Sequence, residues 1–417
     1  MDFAAYDFWI KPIGLLILAR ILHENGFRLS LLDCLNRCDP AFGTENLKPE
    51  FFNGTGQFHR ETIQKPDLFS SVPRRFSRYG LPLAVVQQRL SQLPCPDAIL
   101  VTSGMTYWYP GVIEMIQRLK MFFPRTPVIL GGIYASLCTD HARRKSGADL
   151  VIPGEGEARI LEILESVNPS FCPINQHAVL SSDIPPLYEL YPRMISAAIL
   201  TSRGCPNQCP FCASQLLSST FRRRSPDHVV NEIETLYHRG IRHFAFYDDA
   251  LLFDSSDHII PILEAIQNRQ IDTGFHTPNG LQPGLIDERI ARLMRKTGFR
   301  SVRLSFESSD ENRQLSMGMK VSNDEMIQAS KLLQKQGFSA RELACYVLTG
   351  LPGQKREEVL ESILFSYDLG MRVSLAAYSP IPDCYRAIRI QLPPERFPRT
   401  MHARYGSVFQ NPVLPNA

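Results

Sequence analysis

Arg203-Gly204-Cys205-Pro206-Asn207-Gln208-Cys209-Pro210-Phe211-Cys212 sets three cysteines at C-x3-C-x2-C spacing, directly after the apolar run at residues 195–200. Three thiolates in one short loop can hold three corners of a [4Fe-4S] cluster, whose usual complement is four cysteines. No fourth cysteine lies nearby in the sequence, so one iron would stay open to a substrate or cofactor. An open position marks a catalytic centre rather than a sealed structural one, as it does for zinc. A three-cysteine zinc site with a remote fourth ligand, or three buried structural cysteines, are the other readings of this spacing.

Working outward, the chain of 417 residues is long for one core and suits two domains. Its 44% hydrophobic and 21% charged content is that of an ordinary globular protein. A formal charge of +3 with no long basic run argues against nucleic acid as a partner. The short cluster Arg222-Arg223-Arg224 reads as a solvated approach to a helix, with an anion site as the alternative. Seven of the ten cysteines are scattered, and no secretory signal or membrane-length apolar run accompanies them. A disulfide framework is therefore excluded, and a reducing cytoplasm is the expected compartment.

Pro- and Ser-rich residues 169–194 read as a linker between two regions. Before it, residues 1–168 alternate helix and strand signals, which predicts a parallel α/β sheet. Helices are expected at 13–24, 110–123, 134–146 and from 153 to 166, with strands at 27–32, 98–102, 127–130 and 150–152, and periodicity returns at 81–93. Residues 43–96 are otherwise polar and poorly periodic, and read as a surface excursion. The loops at the strand ends, 103–106, 131–134 and 154–157, face the ligand crevice of such a sheet. After the linker, residues 195–384 give strands at 197–202, 243–247, 273–277, 301–306, 340–348 and 373–377. Helices are expected between them at 226–239, 259–268, 287–297, 323–336 and 355–369. Residues 385–417 form a short tail without a further cysteine cluster.

The cysteine spacing, with an aromatic residue just before the last cysteine, resembles the signature of the radical S-adenosylmethionine (SAM) enzymes. The order Ser-x-Met-Thr, Gly-Gly and Gly-Glu-Gly-Glu in the first region resembles the cobalamin-binding domain that precedes the barrel in one subclass. The resemblance implies a Rossmann-like domain followed by a partial (β/α)6 barrel. It also implies a [4Fe-4S] cluster held by Cys205, Cys209 and Cys212, with SAM on the fourth iron, and cobalamin as a further cofactor. The chemistry implied is reductive cleavage of SAM to a 5′-deoxyadenosyl radical, then methylation of an unactivated carbon of a small molecule. Cyclisation, rearrangement and a radical enzyme without cobalamin remain alternatives, as does a non-catalytic iron–sulfur carrier or scaffold. A flavodoxin, ferredoxin or reductase would supply electrons.

Carried over position by position, the resemblance places Phe211, Asp249, Asn279, Glu307 and Thr349 against SAM. It places Ser103, Thr106, Gly131, Gly132, Gly154 and Glu155 against cobalamin. Asp248 precedes Asp249 at the same strand end, Tyr378 shapes the barrel mouth, and Arg303 is either a partner of the SAM carboxylate or a barrel ion pair. Each of these also has a structural reading as strand-end punctuation or a helix cap. No Asp-x-His-x-x-Gly is present, which leaves cobalamin without a lower histidine ligand. Residues 2–9 resemble the loop that follows a first strand, so the sheet is expected to lack that strand.

Overall fold

The computed structural model describes residues 5–42, 53–67, 70–73, 75–169, 171 and 183–381. The tail at 385–417 and most of the first half of the linker lie outside the described residues.

In the first region, helix α1 (Ile13–Glu24) precedes α2 (Leu83–Gln92), and strands β1 (Ile99–Val101), β2 (Val128–Leu130) and β3 (Leu150–Val151) form a parallel sheet. Between them run α3 (Tyr109–Phe122), α4 (Gly132–Leu137) and α5 (Thr139–Lys145), and α6 (Ile160–Val167) follows. Pro110 in the first turn of α3 needs no backbone partner there and presets the helical φ. Three expectations are corrected. The helix expected at 134–146 is two helices that break at Cys138. The Gly-Glu-Gly-Glu stretch is a loop, and its helix begins only at Ile160. Residues 27–32 are not a strand, although Phe27, Leu29 and Leu31 alternate with the exposed Arg28 and Ser30. Alternation makes a strand only where a neighbour accepts its backbone hydrogen bonds. Among the described residues no strand lies beside this segment.

The second region holds six parallel strands in the order β9-β8-β7-β6-β5-β4. They are β4 (Ala197–Ile199), β5 (His243–Phe246), β6 (Gly274–His276), β7 (Phe299–Glu307), β8 (Leu343–Thr349) and β9 (Arg372–Ala377). The intervening helices are α7 (Pro226–His238), α8 (Ile259–Asn268), α9 (Glu288–Lys296), α10 (Glu311–Ser316), α11 (Asn323–Lys335) and α12 (Arg356–Asp368). Asp287 caps α9, and Ser322 with Glu325 forms a reciprocal capping box on α11. Along β7, Val302, Leu304 and Phe306 join the core against the helices. The two-residue period of a strand therefore turns Arg303, Ser305 and Glu307 into the barrel.

The two regions share a core. Ile13, Ile17 and Ile21 of α1 pack with Ile129 of β2 and Ala198 of β4. The linker residue Tyr188 is buried and donates from its hydroxyl to the Ala198 carbonyl (2.5 Å). That end of the linker is thus a packed wedge. Residues 8 and 9 pack against Ala245 of β5, so the N-terminal segment reaches into the barrel.

Candidate active site

The three-cysteine loop leaves β4 at the carboxyl end of the barrel strands. Ser202–Arg203 pairs antiparallel with Arg222–Arg223 and closes the loop at its base. Gly204 sits at φ +77°, and a Cβ there would meet the Thr220 carbonyl oxygen at 2.6 Å. Only glycine tolerates both conditions. Gln215 donates from its amide to the Cys205 carbonyl, and the Cys212 N–H donates to the Cys209 carbonyl (3.1 Å). Cys205 is buried, Cys209 half-buried and Cys212 exposed. Burial pushes the Cys209 thiol up to about 11, with Lys320 opposing and the charges of Cys212 and Cys205 adding to the rise. The three thiols are close enough to feel one another, and this soft donor set fits an iron–sulfur cluster. Among the described residues no three metal-ligating side chains converge on one centre.

Beneath the loop lies a buried polar hub. The Asp248 carboxylate accepts from the Thr201 hydroxyl (2.7 Å), the Ser202 hydroxyl (2.6 Å) and the Thr201 N–H (3.0 Å). The Thr201 proton is committed to Asp248, so His258 must donate to Thr201 Oγ1 from Nε2 (2.9 Å). Burial, helped by Arg223, lowers the His258 pKa to about 4 from an ordinary 6.5. A histidine held neutral in the fold contributes stability that is complete above about pH 6.5. That contribution is lost as pH falls toward 4 and amounts to about 3 kcal/mol. Urea unfolding of the parent and of His258→Gln at pH 7 and pH 4.5 should therefore show the smaller acid loss in the variant.

Asp249 points away from this hub and faces Ser214 and Lys320. Glu307 ends β7 at φ +71°, where the register with β8 slips. A non-glycine residue there is strained, and such strain concentrates where a side chain must be aimed. Burial pushes the Glu307 carboxyl up, and Lys320 pulls it back down. Lys320, on the turn between α10 and α11, escaped the sequence reading. Its ammonium acts on Cys205, Cys209, Asp249 and Glu307 alike. Gln282 binds the Lys320 carbonyl (3.0 Å) and accepts from Asn207 in the cysteine loop (3.2 Å), tying the two together.

Phe211 packs with Met317, Leu348, Leu351 and Tyr378, an apolar wall across the barrel mouth. Thr349 adjoins it at the end of β8, with its carbonyl bound by the Tyr378 N–H (2.8 Å). Asn279 gives its amide to the carbonyls of Tyr247 (2.8 Å) and Asp248 (3.3 Å), so it straps the end of β5.

On the first region, Ser103 and Gly132 come together: the Ile133 N–H donates to the Ser103 carbonyl (3.2 Å). Gly132 has φ +82°, and a Cβ would stand 2.3 Å from Thr102 Oγ1. Ser103, Gly104, Trp108 and Gly132 line a cavity of about 2470 Å³ that also reaches Thr349 and Ser379 of the barrel. That volume exceeds the roughly 300–1,000 Å³ of drug-sized pockets, although part of it is the slot beside residues 27–35. Thr106, Gly131, Gly154 and Glu155 do not line it. Glu155 instead pairs with Arg222, while Glu157 pairs with Arg203 at 2.6 Å, binding this loop to the base of the cysteine loop. Arg224 pairs with the buried Glu232 (2.7 Å). The arginine cluster read as solvated is therefore an ion-paired seam.

Residues 199–365 match the Radical SAM superfamily. It is 26% identical over 66% of its length to an uncharacterized methyltransferase of Pyrococcus horikoshii, of which the match spans 64%. It is 22% identical over 89% of its length to the cytidylyl-2-hydroxyethylphosphonate methyltransferase of Streptomyces wedmorensis, of which 76% is covered. Its fold is shared with the radical S-adenosylmethionine methyltransferase TsrM of Kitasatospora setae, solved with cobalamin and a [4Fe-4S] cluster bound. The TM-score is 0.66 at 16% identity, covering 91% of this chain and 75% of that one.

Proposed function

We propose that the protein is a cobalamin-dependent radical SAM methyltransferase acting on a carbon of a small molecule. The observation that carries this reading is the cavity lined by Ser103 and Gly132 on one side and by Thr349 and Ser379 of the barrel on the other. Two relatives named as methyltransferases and the shared fold of TsrM support it.

When bound, the cluster, SAM and cobalamin supply the one-electron chemistry and the methyl group; the protein's part is to hold and orient them. Cys205, Cys209 and Cys212 would hold the cluster. Asp249, Glu307 and Lys320 would meet SAM's ammonium and carboxylate, and they offer charge of both signs. Phe211 and Thr349 flank the nucleoside side, and the apolar wall of Met317, Leu351 and Tyr378 keeps water from it. On the corrin side, Trp108, which lines the cavity, carries a buried indole N–H with no acceptor among the described residues. A corrin ringed by amide carbonyls fits such a donor. Ser103 and Gly132 would approach the same group, with Gly131, Thr106, Gly154 and Glu155 shaping the loops behind them. The electron donor would be a flavodoxin or ferredoxin, and the cytoplasm the compartment. Among the described residues no helix is long and apolar enough to cross a membrane.

The test is mass spectrometry of products from protein reconstituted without oxygen with iron, sulfide and hydroxocobalamin, then given SAM and a strong reductant. S-adenosylhomocysteine that appears only with cobalamin is the expected outcome. 5′-Deoxyadenosine alone would favour cyclisation or rearrangement. Neither product, with the cluster intact, would favour an iron–sulfur carrier.

A further inference from the structure

Inside the barrel, Arg303 is buried to 8% exposure, yet its Nε and Nη1 have no hydrogen-bond partner. No carboxylate pairs with it among the described residues. The neighbouring polar groups are committed elsewhere. Tyr247 donates its hydroxyl to the Phe8 carbonyl (2.7 Å), and Tyr346 donates to the Pro278 carbonyl (2.5 Å). His276 shares its ring nitrogens with His243 (3.1 Å) and Ser301 (2.9 Å). Asp7, the buried acid of the N-terminal segment, is held by Arg37 (3.0 Å), and Glu307 faces Lys320.

What does stand against Arg303 is aromatic. Its guanidinium lies 4.9 Å from the Phe8 ring centre and 5.9 Å from that of Trp9. Trp9 stacks on His276 at 4.1 Å and is held at φ +67°, a conformation a bulky residue adopts only under constraint. Ring faces offset a buried cation only in part. An arginine cannot shed its proton to escape the cost of burial, and its orphaned donors lose their water without replacement. A chain that keeps such a group has an acceptor for it in some other state.

We infer that Arg303 is the recognition residue for an oxyanion, a carboxylate or a phosphate-type group, carried by the substrate and met by the open Nε and Nη1 donors of a guanidinium that rests against Phe8 and Trp9. This rests on the methyl-transfer reading for the ligand's being the substrate. On that reading SAM would have its own cation in Lys320, whose charge reaches Cys209 of the cysteine loop, and Arg303 is left for a second anion. The planar fork of arginine suits both oxyanion types in bidentate fashion.

The experiment uses the full chain with Arg303→Met and Arg303→Lys. Thermal midpoints are read with acetate, with methylphosphonate, and with acetamide and chloride at matched ionic strength as controls. The Arg303→Met protein is expected to melt no lower than the parent, because an uncompensated buried cation is removed. Acetate or methylphosphonate should raise the parent's midpoint and leave that of Arg303→Met unmoved. Arg303→Lys should need at least about tenfold more anion for the same rise, for want of the fork. Which of the two anions acts identifies carboxylate or phosphate-type chemistry. A lower midpoint in Arg303→Met with no anion response in the parent would overturn the inference, leaving Arg303 a structural cation. An equal response to chloride would overturn it too. Loss of SAM cleavage in a cluster-loaded Arg303→Met would assign the cation to SAM instead. If the parent itself cleaves no SAM, the functional reading fails, while the anion measurements still decide whether the site exists.

Discussion

Cys209→Ala is expected to abolish SAM cleavage, lowering 5′-deoxyadenosine formation by more than about 100-fold, beyond the 10–100-fold typical of outer partners of a metal site. Cys209 is the central thiol of the loop, half-buried and within electrostatic reach of both Cys205 and Cys212. Two thiolates cannot hold three corners of a cluster, so iron and sulfide content should fall with the product. The fold should survive, because the loop is pinned by contacts that bypass the sulfur: the Ser202–Arg203 pairing with Arg222–Arg223, and Gln215 on the Cys205 carbonyl. Iron and sulfide assay beside urea unfolding separates the two effects. Normal iron loading with lost activity would move Cys209 from a ligand to a substrate contact.

Asp248→Ala should have the largest effect on stability, about 3–5 kcal/mol in urea unfolding. The carboxylate accepts three donors in a site it shares with no water-exposed atom: the Thr201 N–H, the Thr201 hydroxyl and the Ser202 hydroxyl. Each donor left unpaired in a buried site costs about 1–3 kcal/mol, and partial relaxation keeps the sum below the full total. Because Thr201 and Ser202 open the cysteine loop, iron retention should fall together with stability. Asp249→Ala, one residue on, should leave unfolding within about 0.5 kcal/mol of the parent, as exposed substitutions do, and should act on SAM binding instead. If the two variants unfold alike, the hub is not what anchors the loop.

That contrast between neighbours marks the limit of reading the chain as a string. Asp248 and Asp249 both stand at the end of a predicted strand, and nothing local says which turns inward. The two-residue period needs a known face before it can choose. Long, strongly patterned elements were legible. α1 and α8 have the bounds that apolar spacing predicts, and the six barrel strands lie within a few residues of their expected places. There the signal is local, in apolar periodicity and in caps such as Asp287 and Ser322. Residues 27–32 misled because a strand's hydrogen bonds are nonlocal and its neighbour is not in its own sequence.

The chemistry on offer was legible before folding: a loop of three thiols at cluster spacing, a run of βα units to carry it, and glycine-bearing loops on an α/β sheet ahead of it. Those are facts of spacing and residue type, and both survive without coordinates. Tertiary structure alone decided which charges meet. Lys320 arrives beside Cys209 from a turn more than 100 residues away, with no local pattern to announce it. Trp9 and Arg303, 294 positions apart, face each other because the N-terminal segment is drawn into the barrel. Glu155, on a loop of the first region, is paired with Arg222, 67 positions away. Electrostatic partnership depends on distance in space and on the loss of water, and neither is written along the chain.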